Sequence, residues 1–192
     1  MNTDIFSRSQ FRSSVGSIEF KYFRDLVLPE IKLLAERVQR FKSLEEHFNF
    51  HVDDSRPEML ELSFGSRCML YRDAKGRTIE ERGPSLRYTL APTGEAAAIL
   101  YPTTSSVAKP LEDHIYLRIG RFSGHHLARR LTSDLKDLVA YGCVTSLEAD
   151  ATPVDKMRVW WLRHSRPMQV KGEFVRATAL GQAEMARWPW NP

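Results

Sequence analysis

Between Met59 and Ile119 apolar and polar residues alternate in short runs, with one amphipathic stretch before this block and another after it. A period of two is the signature of half-buried strands, and helical stretches on either side have to cover the face those strands bury. This order of elements predicts an α+β fold: an antiparallel meander of four to five strands flanked by a long N-terminal helix and a second amphipathic helix. The individual strands are readable. Leu60, Leu62 and Phe64 share one face. Arg67 to Arg72 ends in the turn Asp73-Ala74-Lys75-Gly76, and Leu86, Tyr88 and Leu90 lead to the turn Pro92-Thr93-Gly94. Ala96 to Tyr101 is nearly all apolar and too short for a stable helix, so it reads as a buried central strand, and Ile115, Leu117 and Ile119 resume the alternation.

Upstream, Val27, Ile31, Leu34, Val38, Phe41 and Phe48 step by four and three, broken at Glu45. That is the spacing of a helix seam. Pro29 implies either a kink or a helix start, giving Pro29 to Phe48. An unbroken helix from Phe20 to Phe48 would run roughly 43 Å at 1.5 Å per residue, about the width of a domain of this size. Ile31, Leu34, Val38 and Phe41 therefore read either as cover for the sheet or as a seam for a partner, including a second copy. Residues 1–17, with Arg8, Arg12 and five serines, read as a disordered leader, and the composition is also that of a transit peptide.

Charge is unevenly placed. Residues 118–192 hold twelve Lys and Arg against seven Asp and Glu, within a chain of net charge +4. Such an excess attracts phosphates or acidic partners. Ser123 to Tyr141 is helical, with Leu127, Leu131, Leu135 and Leu138 on one side and Gly142 as its stop. Residues 147–153 form a loop or boundary, and beyond them Arg158 to Arg163 and Gly172 to Thr178 read as strands, and Ala179 to Arg187 as a short helix. The expected organisation is a leader at 1–17, an α+β domain at 18–146 and a basic C-terminal β-ribbon with a short helix at 147–192.

Thr132, Leu135, Leu138, Gly142 and Val144, followed by two strand-like runs and Val175-Arg176-Ala177-Thr178-Ala179-Leu180-Gly181, resemble part of a winged-helix domain. The resemblance implies that Arg129, Arg130 and Lys136 face phosphates and that Arg163, Arg166 and Lys171 lie on a wing. Little room remains between His125 and Leu131 for the turn of a helix-turn-helix, so one continuous helix with a basic wet face is the alternative. A nucleic-acid platform on the sheet is another reading, with His114, Tyr116, Arg118, Arg87 and Thr89 facing outward together and Arg67 and Tyr71 near them.

For catalysis the chain offers little. His47 and His51, spaced i, i+4 with Asp53 and Asp54 beyond, would suit a metal-dependent hydrolase only with further ligands. His125 and His126 point apart on a helix, and Glu19-Phe20-Lys21 lacks the aspartates of a nuclease. No catalytic residue, resident metal or cofactor is expected. Cys68 and Cys143 are far apart, implying reduced thiols and a cytoplasmic protein, and no run approaches a membrane span. Trp188 and Trp190, in a proline-bracketed tail, join Ile31, Leu34, Val38 and Phe41 as candidate partner-binding residues. The functional expectation is a non-catalytic subunit or adaptor of a bacterial-type assembly, binding a partner protein and, through its basic half, nucleic acid. The alternatives are a winged-helix-type DNA-binding regulator and the His47/His51 hydrolase.

Overall fold

The alternating block folds into antiparallel strands. In the computed structural model, which describes residues 3–73, 75–108, 110–177 and 183–185, it supplies β2 (Met59–Phe64), β3 (Ser66–Arg72), β4 (Thr78–Arg82), β5 (Ser85–Leu90), β6 (Ala96–Tyr101), β7 (Thr104–Ser105) and β8 (His114–Gly120). β1 (Phe50–Asp53) precedes the block, and β9 (Met168–Val170), β10 (Glu173–Ala177) and β11 (Ala183–Met185) come last. Eight of these form one sheet in the order β1-β2-β5-β6-β8-β9-β10-β11, every neighbour antiparallel, while β3, β4 and β7 make a small second sheet. The meander is thus larger than the four to five strands expected.

Two corrections follow from its far edge. β9 pairs with β8, so the C-terminal ribbon belongs to the main sheet, and Val159, Leu162, Met168 and Val175 join the same apolar core as the N-terminal elements. Ala183–Met185, expected in a helix, is a strand paired with β10.

The helices are α1 (Thr3–Val27), α2 (Ile31–Glu36), α3 (Phe41–His47), α4 (Gly124–Thr145) and α5 (Pro153–Ser165). Residues 3–17, expected as a leader, are the first half of α1. The predicted straight seam is cut twice. Pro29 disfavours helix at Leu28 before it, and Arg40 takes a left-handed backbone at φ 69° ahead of α3. The apolar spacing survives these bends because the same stripe is folded against the sheet. Val27, Ile31, Val38, Phe41 and Phe48 are buried and Leu34 packs against them, which removes Ile31, Leu34, Val38 and Phe41 as a surface for any partner.

All five helices pack on the sheet face carrying Leu60, Leu62, Phe64, Leu86, Tyr88, Ala98, Leu100 and Ile115. α4 lies between α1 and α5. Where α1 and α4 cross, Gly124 is required: any Cβ there would overlap the Glu19 carbonyl and the Phe23 amide of α1. α4 is one continuous helix through Leu131 and Thr132, capped by the Ser123 side chain, and it runs on through Gly142 to Thr145. No turn divides it, so the helix-turn-helix half of the winged-helix pattern is overturned. Gly142 is not a stop but a contact point, its missing side chain admitting Pro84 and Leu44.

A bulge between β6 and β8 pairs Ala98 with Arg118 but Ile99 with Tyr116. The extra residue shifts the alternation. Arg118, expected outward, turns into the core, and Ile119, expected inward, is exposed. Inside, the Arg118 guanidinium makes a two-pronged ion pair with Asp134 of α4, and the Tyr88 hydroxyl donates to the same carboxylate at 2.6 Å. Burial, with Asp134 beside it, holds the Tyr88 phenol well above its usual range. The cluster fixes α4 on β5 and β8.

Candidate interaction surface

Arg158 to Arg163, expected as a strand, instead lies within helix α5, Pro153–Ser165. The local cause is upstream. Thr152 caps the helix, its side chain accepting from the Asp155 amide at 3.2 Å while the Asp155 carboxylate accepts from the Thr152 amide at 2.9 Å, and Pro153 occupies the first turn. With 3.6 residues per turn, Val159 and Leu162 face the core, and Arg158 reaches across to Asp137 of α4. The opposite face carries Val154, Met157, Trp160 and Trp161, all exposed, the two tryptophans at 55% and 61%. Trp160 is braced by the His164 ring, with centroids 4.3 Å apart. Large aromatics held out from a rigid helix are the residues that dominate protein interfaces when buried by a partner.

Next to this stripe lies the outer face of α4. His125, Arg129 and Lys136 point outward on it with Arg130 and His126 to one side, all exposed and without an ion pair among the described residues. Of the six candidate cationic residues, Arg129, Arg130 and Lys136 therefore share one helix surface. The other three do not join them. Arg163 is drawn inward onto the buried Glu112, at 2.7 Å from Oε1, Arg166 ends α5, and Lys171 sits in the β9–β10 turn at φ 50°. The expected wing residues are thus scattered.

The opposite face of the sheet has no helix on it among the described residues. A row of rings crosses it: Tyr101 and His114 at 5.2 Å, His114 and Tyr116 at 4.9 Å, Tyr116 and Phe174 at 5.6 Å. Arg87 lies 4.9 Å over Tyr101 but is ion-paired to Glu61, and Arg118 has left this face. Arg67 and Tyr71 belong to the second sheet, where Arg67 is held by the buried Glu81. The rings pack tilted against one another, and of the two cations expected among them Arg87 is ion-paired and Arg118 is turned inward. His114 is half buried here, and burial lowers its pKa below the usual 6.5. As pH falls below 6.5 the unfolded chain takes up a proton that the folded chain resists, so folded stability is lost in that window. Thermal melts between pH 7.5 and 5 should show this loss, and His114→Phe should flatten it.

His47 and His51 do not share a helix face. The chain turns extended at Phe48, leaving His47 at the end of α3, with its Nδ1 2.8 Å from the Ser43 carbonyl, and His51 on β1. Among the described residues no three His, Cys, Asp or Glu side chains are grouped to hold a metal ion. Glu19 caps α4, accepting from the Gly124 amide at 2.7 Å. Both cysteines are free, Cys68 exposed and Cys143 buried, and among the described residues no helix is long and apolar enough to cross a membrane. Trp188 and Trp190 lie outside the described residues.

Sequence reasoning missed Val154, Met157, Trp160 and Trp161 as one surface. The signal was present as Thr152-Pro153-Val154-Asp155, a helix start that assigns the tryptophans a period of 3.6.

No family model, curated protein or solved structure matches the chain.

Proposed function

We propose that the chain is a non-catalytic subunit or adaptor of a cytoplasmic assembly that binds a partner protein through the outer face of its helix layer. The observation that carries this reading is the exposed α5 stripe of Val154, Met157, Trp160 and Trp161, with the exposed Arg129, Arg130 and Lys136 of the neighbouring α4 free of ion pairs among the described residues. A partner that fits presents an apolar stripe flanked by carboxylates, its apolar side covering the tryptophans and its acids meeting Arg129, Arg130 and Lys136. Four buried carboxylates are each ion-paired within the fold, Asp134 to Arg118, Asp137 to Arg158, Glu112 to Arg163 and Glu81 to Arg67, although Glu112 Oε2 is left without a hydrogen-bond partner. This supports a binding role over catalysis.

The test is the size of the complex in extracts of cells that express the protein natively. Wild type should migrate in a species larger than its own monomer or dimer. Trp160→Ala with Trp161→Ala should release it, since hot-spot aromatics cost about 2 kcal/mol or more each when truncated. Arg129→Glu with Arg130→Glu should weaken binding and make it less sensitive to salt, without loss of helical content. Wild type found only as free chain would refute the reading.

A further inference from the structure

α1 carries a second exposed apolar stripe, independent of α5. Its inner face buries Phe20, Phe23 and Val27, while Phe11, Val15, Ile18 and Tyr22 face away from the core, Phe11 and Ile18 at 71% and 68% exposed. These four step by four, three and four, the seam spacing of paired helices, on a helix about 37 Å long at 1.5 Å per residue. A lone surface helix has no use for a heptad seam facing water.

We infer that this face pairs with α1 of a second copy of the chain, antiparallel about a two-fold axis near residues 16 and 17. In that register Phe11 meets the second copy's Tyr22, and Val15 meets its Ile18, so every apolar residue of the stripe finds a partner and the contact is self-complementary, as a two-fold interface must be. The flanking charges agree. Arg12 and Glu19 occupy the same flank of the seam, and antiparallel flanks meet like position to like position. Each Arg12 therefore lies beside the second copy's Glu19, twice over. The Glu19 Oε2 is taken by the Gly124 amide, which leaves Oε1 for the pair.

The surface beside the seam fits as well. A groove of about 300 Å³ runs along α1, lined by Phe11, Val15, Gly94, Arg121 and Phe122. Phe11 is one of its walls, so the second copy's Tyr22, meeting Phe11, would have room there for its phenol ring.

Sedimentation of the purified full chain tests this. Wild type should form a species of twice 22.2 kDa whose share rises with concentration. Ile18→Glu should abolish it with unchanged helical content, because Ile18 is 68% exposed, and Arg12→Glu should weaken it. In a Cys68→Ser background, Phe11→Cys protein mixed with Tyr22→Cys protein should give a mixed disulfide under mild oxidation. A strict monomer, a dimer untouched by Ile18→Glu, or disulfides only between identical variants would overturn the proposal. The Trp160/Trp161 variant should leave this dimer intact, so the two surfaces fail separately.

Discussion

Asp134→Ala should lower stability by about 3–5 kcal/mol, the cost of leaving a buried charge without its counter-ion. Asp134 is 1% exposed and, among the described residues, accepts from both the Arg118 guanidinium and the Tyr88 hydroxyl. Removing it strands a guanidinium and a phenol in the core, the phenol ring packed on Phe23. Thermal melting should fall by roughly 10 °C for a chain of this length. Asp134→Asn should cost less, because an amide oxygen still accepts from Tyr88. Combining Asp134→Leu and Arg118→Met with Tyr88→Phe should recover much of the loss, since an apolar replacement of all three partners leaves nothing unpaired. If Asp134→Ala melts within 2 °C of wild type, the bulge that turns Arg118 inward is misplaced.

Phe23→Ala is the second large effect, about 3–5 kcal/mol from lost burial and the cavity left behind. Phe23 is wholly buried, its ring 5.8 Å from Phe20 and 4.8 Å from Tyr88. It joins α1 to β5 beside the place where Gly124 lets α4 cross. Because Phe23 and Asp134 both touch Tyr88, the double variant should depart from additivity by more than 0.5 kcal/mol in denaturant titrations. Additive losses would mean that helix layer and polar cluster are held independently.

The strands of the block were legible because most are short local alternations, two of them (β3 and β5) ended by turns whose glycines, Gly76 and Gly94, take a positive φ. The number of strands in the sheet was not. β1 has only four residues, and β9 joins the sheet by pairing with β8 across about fifty residues that hold two helices, a long-range contact that no local pattern announces. Arg118 was misassigned for a related reason: the bulge depends on the register between β6 and β8, and one extra residue exchanges the fates of Arg118 and Ile119. The 4-3 spacing from Val27 to Phe48 correctly marked a buried stripe, but spacing does not say whether a chain runs straight or bends, and Arg40 bends it. A seam of the same kind that faces water, Phe11 to Tyr22, went unremarked because the serines and arginines around it read as disorder. In α5, β-favouring Val-Trp-Trp-Leu outweighed a capping box that decided the outcome.

The central claim is that the helix layer, and α5 in particular, is the face that meets a partner, while the open sheet face is not. A photo-crosslinking amino acid placed at Met157, and in a separate protein at Thr89 on the outer sheet face, addresses it in cells that express the chain natively. Met157 is exposed on α5 and Thr89 sits at half burial on β5, so both substitutions leave the core untouched. A discrete adduct from position 157 that disappears in the Trp160→Ala, Trp161→Ala background, with none from position 89, is the predicted result. An adduct from position 89 and none from 157 would contradict the account.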